Sequence, residues 1–226
     1  LQIGEQVPDA QPLLRPGELV IKDINGYRRD ANKQPIVDEN GRFVLTGEPD
    51  GLIDDADNVL LGSQDPSWLA GITNTFKYKD FDLNIQLNGM FGRRMQDPTE
   101  MAYGLGGGDL ARYGYNALRK IKDRWTWDNP STTQPTSFNG WGNNYTSGDW
   151  YYQRAWFIRL TNISFGWTLP KAWIARTKVL SRVRLSLSAN NLFCITPYKG
   201  LDPETDYYAA SYPNARTYSM GINVTF

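Results

Sequence analysis

The sequence predicts an all-β fold of long antiparallel strands of the kind that cross a membrane as a β-barrel, joined by long external loops. Three observations carry this. Residues 217–226 alternate without a break. Tyr218, Met220, Ile222, Val224 and Phe226 share one face, and Thr217, Ser219, Gly221, Asn223 and Thr225 share the other. Residues 68–78 and 81–91 alternate over 11 residues each, the length of a tilted membrane-crossing strand and about twice that of an ordinary globular one. The connections between alternating runs are either very short or very long, as in outer-membrane barrels with short periplasmic turns and long external loops.

Taken in order, residues 1–17 are rich in Pro and Gly and read as loop. Residues 18–22 are a short strand candidate, and residues 23–58 form a long polar loop dense in Asp, Asn and Gly. Trp68, Ala70, Ile72, Phe76 and Tyr78 then share a face, with Asn74 as the one blemish. After a tight turn at Lys79-Asp80, Phe81, Leu83, Ile85, Leu87, Gly89 and Phe91 line one face against Asp82, Asn84, Gln86 and Asn88. These two runs form a hairpin. Residues 92–153 are a long connection with a Gly-rich run at 104–108, a short helix candidate at 109–122 and a Trp-rich stretch at 125–150. A connection of this length is usually functional or disordered, and its aromatic content favours order.

Residues 156–169 are the next strand, with Ile163, Phe165, Trp167 and Leu169 opposed by Asn162, Ser164, Gly166 and Thr168, and Pro170 stopping it. Continuing that register backwards places Arg159 beside Ile163 and Phe165, near a membrane rim. A turn or short helix at 171–180 leads into residues 182–193, where Arg184 is expected to face the lumen. The polar loop 196–216 precedes the final strand. That strand is expected to close a sheet, because an alternating strand that runs to a terminal aromatic has no frayed edge only in a closed barrel. No repeat of fixed period is evident. Five long strands are too few for a closed barrel, whose smallest members have about eight, so residues 1–226 are expected to be one part of a larger one.

Composition excludes several functions. The 24 basic and 24 acidic residues balance, which argues against nucleic acid as a partner. Without histidine there is no His-based triad and no ordinary zinc site. The single cysteine, Cys194, forms no internal disulfide and reads as an inert half-buried thiol. No apolar run approaches the roughly 20 residues of a transmembrane helix. The chain carries 8 Trp and 13 Tyr, residues that favour membrane interfaces and stack on sugar rings.

Several segments in order resemble one family. They are Lys22-Asp23-Ile24-Asn25-Gly26, Asp50-Gly51-Leu52-Ile53-Asp54-Asp55-Ala56-Asp57, Leu61-Gly62, the hairpin of residues 71–92, and Arg124-Trp125-Thr126 with Asn129-Pro130. Phe157-Ile158-Arg159-Leu160-Thr161-Asn162-Ile163 runs into Gly166-Trp167-Thr168-Leu169-Pro170. Ala189-Asn190-Asn191-Leu192-Phe193, Asp202-Pro203-Glu204, Tyr212-Pro213 and Arg216-Thr217-Tyr218 complete the set. In this order they resemble the C-terminal part of SusC/RagA-type TonB-dependent outer-membrane transporters of Bacteroidetes. The resemblance implies an outer-membrane barrel of many strands with a plug inside it, residues 1–226 being a C-terminal segment of that barrel and the plug domain and earlier strands lying outside them. It also implies a SusD-like lipoprotein lid, energy from TonB, and an oligosaccharide or peptide as cargo.

The acidic loop is a candidate calcium site. Asp23, Asn25, Asp50, Asp54 and Asp57 match ligand positions of a calcium loop, but residues 27–49 interrupt the match between Gly26 and Asp50. The alternative is a solvated, turn-rich loop. Asp38-Glu39-Asn40-Gly41 offers a turn through which the insertion can fold out. Adjacent acids on one loop do not make a glycosidase pair, which needs carboxyls across a cleft, and no enzymatic role is expected. The Gly-rich run lacks the Lys-Ser/Thr of a phosphate loop. Trp125, Trp127, Trp141, Trp150, Tyr151 and Tyr152 read either as a surface contacting substrate or partner, or as packing and interfacial girdle. The competing reading of the whole chain is a soluble, calcium-stabilised, carbohydrate-binding β-sandwich, which would bury the apolar rows between two sheets.

Overall fold

A computed structural model of the chain describes residues 1–104, 114, 116–136, 148–205 and 211–226. The chain divides into two compact units: Leu1–Leu61 with Thr99–Tyr151, and Gly62–Pro98 with Tyr152–Phe226.

The second unit is the sheet. Its long strands are β1 (Trp68–Tyr78), β2 (Phe81–Phe91), β5 (Phe157–Thr168), β6 (Arg182–Asn190) and β8 (Thr217–Thr225). They pair antiparallel in the order β1-β2-β5-β6-β8, while β7 (Cys194–Ile195) extends the pairing on β5. A separate two-stranded ribbon joins β3 (Arg94–Gln96) to β4 (Tyr152–Arg154). The side-chain period of two carries across the whole sheet because cross-strand partners share a face. One row runs Phe76, Leu83, Phe165, Leu187, Met220, and the next row on the opposite face runs Thr75, Asn84, Ser164, Ser188, Ser219. A two-residue turn at Lys79-Asp80 joins β1 to β2, and Lys79 takes the positive φ of 52° that the turn requires. Residues 169–181 join β5 to β6 at the same end. The long connections, 92–156 and 191–216, leave from the other end.

The apolar face is open to its surroundings. Met220 is 76 % exposed and Leu187, in a central strand, 53 %. Among the described residues the only other sheet is the short β3–β4 ribbon, so the sandwich expected under the competing reading is not present. The sheet is also not closed: the outer edges of β1 and β8 have no strand partner among the described residues.

Three sequence expectations are corrected. Residues 18–22 are not a strand. The Gln11 side chain takes the place of a neighbouring strand there: its Nε2 donates to Ile21 O at 2.6 Å, and its Oε1 accepts from Ile21 N at 3.1 Å. The described part of the helix expected at 109–122 is a short 3-10 turn, Arg119–Asp123; the rest of that helix, and residues 105–108 of the Gly-rich run, lie outside the described residues. And there is a repeat. Asp30, Asp38, Thr46 and Asp54 stand eight apart, and each accepts the backbone N–H two residues on. Asp30 and Asp38 also accept the N–H four residues on. The fourth position of the first two repeats has positive φ, 64° at Lys33 and 75° at Gly41.

This octad folds the insertion onto itself. Arg28 N donates to Val44 O, Val44 N to Ile36 O, and Ile36 N to Arg28 O, at 2.8, 2.9 and 2.8 Å. Three short extended segments therefore bond in a ring, capped by an edge-on contact of Tyr27 and Phe43.

Candidate functional site

On the polar face of the sheet one ion pair crosses a strand. Arg184 on β6 reaches over Gly166 of β5 to Asp82 on β2, with Nη1–Oδ1 at 2.6 Å and Nη2–Oδ2 at 2.8 Å. Such a paired fork gives Arg–carboxylate bonds their directionality. A Cβ at Gly166 would sit 2.7 Å from Asp82 Oδ1 and collide with the guanidinium, so the glycine is what lets the pair form. Lys77, the register partner of Asp82, and Arg182, two residues before Arg184, share this face, and further along it the Asn and Thr side chains bond to one another. Asn162 donates to Asn190 at 2.7 Å, Asn190 to Thr217 at 3.0 Å, and Asn84 to Thr75 at 2.8 Å. Arg184 thus lies on the expected face.

Arg159 does not. A β-bulge between Gln86 and Leu87 leaves Thr161 unpaired, so Gln86 faces Asn162 while Leu87 faces Leu160. One extra residue flips everything beyond it. Arg159 leaves the apolar face, becomes 3 % exposed, and pairs with Asp202 at 2.5 Å and with Glu204 at 3.1 Å. Asp202 further accepts the N–H groups of Glu204 and Asn214. The ion pair therefore holds Asp202, Glu204 and Asn214 against the sheet at its loop end. Cys194 is free and half-buried in β7.

Aromatic side chains gather at both ends of the apolar face. At the turn end Phe81 stacks on Phe165 and Trp167, and Trp173 meets Trp167 edge-on at 5.9 Å. At the loop end Trp68 pairs in register with Phe91, and Phe91 stacks on Trp156 at 6.2 Å. From Trp68 to Tyr78 is roughly 33 Å along the strand at ~3.3 Å per residue, or about 25 Å upright at a tilt of ~40°, the height of the apolar band of an outer-membrane barrel.

In the first unit the acidic loop comes together across its insertion. Asp23 accepts the N–H groups of Asp50 and Gly51 at 3.2 and 2.7 Å. Asp57 accepts those of Ile24, Asn25 and Asp54 at 2.8, 3.2 and 3.0 Å. Burial would raise the Asp57 carboxyl, but the three backbone donors outweigh it and hold it below the usual range. Asp50 and Asp54 accept from Leu52 and Ala56. Burial first, and then Asp54, Asp55 and Asp57, raise the Tyr27 phenol. Among the described residues no group of three or more acidic side chains is placed to hold a metal ion. As arranged, these carboxylates stitch backbone to backbone and do not fit a calcium cage, which needs six to eight converging oxygens.

The loop aromatics divide. Trp125 is buried, with its ring against Gly17, where a Cβ would lie 2.5 Å away. Tyr151 is buried too; burial first, and then the Glu100 charge, push its phenol up to about 12. Trp127 and Tyr152 are exposed and Trp150 is half-exposed; Trp141 lies outside the described residues. The interior therefore takes two of the five that lie among the described residues. Trp125 sits between two Pro- and Gly-rich segments whose docking has no periodic signature. Its backbone N–H reaches Gln134 O, and Thr136 N reaches Gly17 O.

No protein-family model matches the chain. It is 29% identical to the TonB-dependent receptor P3 of Formosa agariphila over 240 aligned residues, covering 95% of this chain and 23% of that receptor. It is 26% identical to the TonB-dependent receptor SusC of Bacteroides thetaiotaomicron over 213, covering 85% of this chain and 19% of SusC. Among solved structures it resembles the RagAB peptide importer in its closed-closed state, with a TM-score of 0.63 and 25% identity over 90% of this chain and 22% of that one. The chain thus spans about a fifth of the length of these relatives. Fold and faces together define a section of outer-membrane β-barrel wall, and the relatives it resembles are TonB-dependent receptors. Within that class the chain resembles the C-terminal part of the SusC/RagA-type transporters.

Proposed function

We propose that this chain forms wall, lumen lining and outer loops of a TonB-dependent nutrient importer in the outer membrane, and that its role is binding and passage rather than catalysis. The observation that carries the reading is one sheet with an apolar, exposed face edged by aromatics and a polar face whose ion pair is internally neutralised. A lumen lined largely by Asn, Gln and Ser offers donors and acceptors to amide or hydroxyl groups. That suits an oligosaccharide or a peptide, and the likeness to a peptide importer supports the second. The importer acts with a plug, with a SusD-like surface lipoprotein as lid, and with TonB as its energy source. β8, which carries the apolar row begun at Tyr218 and continued to Phe226, closes the barrel by pairing its open edge with a strand beyond this chain.

The test uses the polypeptide that contains this segment, taken from membranes. It is expected to require detergent, to shift on gels when boiled, and to support TonB-dependent uptake of labelled peptides or oligosaccharides. A species soluble without detergent, or unchanged uptake of both cargoes in cells lacking it, overturns the proposal.

A further inference from the structure

We propose that Arg93 is a site for a carboxylate of the cargo, on the lumen face of the sheet at its loop end. The proposal rests on the reading of this sheet as importer wall. Two other guanidiniums of the sheet have their carboxylates at hand. Arg184 forks onto Asp82, and buried Arg159 pairs with Asp202 and Glu204. Arg93 is as deeply buried as Arg159, at 4 % exposure, yet among the described residues no carboxylate pairs with it. Its Nε is buried with no hydrogen-bond partner. Its Nη1 donates to Met90 Sδ at 3.7 Å, and a thioether is a weak acceptor. The acid four residues on, Asp97, accepts instead from Gln153 Nε2 at 3.0 Å. A buried cation without a counter-charge is costly, and a fork of N–H groups holds a carboxylate strongly.

Register places this group. Met90 stands opposite Leu69 on β1 and Phe157 on β5, and shares its face with Asp82, Asn84, Gln86 and Asn88. That is the polar face. The backbone turns after β2 at Gly92, whose φ is 79°, and Arg93 lays its guanidinium against Met90 on that side. The long connection 92–156 leaves from this end. Long loops face outward and short turns the periplasm, so cargo entering the lumen meets Arg93 early. Beside Met90 on the same face, Asn88 is exposed and Leu69 is 70 % exposed. An amide and an apolar side chain next to an uncompensated guanidinium match the end of a peptide. Its terminal carboxylate pairs with Arg93, its last amide meets Asn88 and its last side chain meets Leu69. The uronate of an acidic oligosaccharide offers the same carboxylate.

The experiment uses the complete transporter in detergent. It is offered short peptides of random sequence, as free acids and as C-terminal amides, and acidic oligosaccharides with free or methyl-esterified carboxyls. What it retains is measured by mass spectrometry. Wild type is expected to prefer a free-carboxylate form over its blocked form by roughly 10- to 100-fold. Whichever pair shows the preference, peptide or sugar, identifies the source of the carboxylate. Arg93→Met removes the charge and is expected to abolish the preference with the boiling-dependent gel shift intact, while Arg93→Lys keeps part of it. Equal retention of free and blocked forms by wild type overturns the proposal, whether or not Arg93→Met assembles. So does an undiminished preference in Arg93→Met. So does an equal loss of both forms in that variant, which would mark Arg93 as a structural residue paired within the receptor. A wild type that retains none of the probes, or does not shift on boiling, strikes the importer reading itself.

Discussion

At Gly166 the polar face has no room for a methyl group. Gly166→Ala is expected to part Arg184 from Asp82 and to cost about 1–3 kcal/mol, as overpacking does. The readout is a lower temperature at which the unboiled, compact gel species disappears. That Gly166 faces a polar lumen is plain from alternation. That it must be glycine is not, because the reason lies with Asp82, far away in sequence. Asp57 is a second such residue. Asp57→Ala strands three backbone donors and is expected to cost about 2 kcal/mol locally, seen as faster proteolysis between residues 24 and 57. Its lowered pKa sets the sign with pH. The stabilisation is present above the unfolded carboxyl value of about 3.9 and is lost as pH falls through the folded value. Proteolysis of the loop should therefore accelerate below about pH 4 in the wild type and not in Asp57→Ala. Tyr151 works in the opposite direction. Its phenol is raised to about 12, so its contribution is intact below the ordinary value of about 10 and fades as pH rises towards 12. A late tyrosine absorbance transition in wild type, missing in Tyr151→Phe, is the expected signature.

Among the elements, β5 shows how alternation both reveals and misleads. The strand was legible from Ile163 to Leu169, but projecting its period backwards put Arg159 on the wrong face. Nothing local in Leu160-Thr161-Asn162 announces a bulge; the extra residue is set by pairing with β2, and its hydroxyl bonds Gln86 O at 3.0 Å. Deleting Thr161 is expected to restore straight pairing and turn Arg159 to the lipid face. That would cost up to roughly 1 kcal/mol for a cation exposed to lipid near the rim and would leave the buried Asp202 carboxylate without its cation. Failure to reach the compact, boiling-sensitive state is the expected result; normal assembly would contradict the register. The octad escaped notice for a related reason. Its signal is one oxygen-bearing side chain every eight residues, Asp30, Asp38, Thr46 and Asp54, with the intervening residues free to vary, whereas the hairpin β1–β2 repeats its chemistry at every second residue.

For the molecule as a whole, the sheet was legible because a membrane wall imposes the same two-face rule on every strand. The loop unit was not, because Pro- and Gly-rich backbone docks by single hydrogen bonds and buried rings such as Trp125. One consequence follows from the two open edges. The 226-residue chain alone, produced without detergent, is expected to aggregate through β1 and β8, and sedimentation that showed a stable monomer in buffer would contradict the barrel assignment. A different consequence follows from the ring of residues 28, 36 and 44. The chain departs at Gly26 and returns at Asp50, whose side chain lies 2.5 Å from the place a Gly26 Cβ would occupy. Entry and exit thus share one doorway, and everything between them is closed on itself. Residues 27–49 are a cartridge: removable, exchangeable and tolerant of a label.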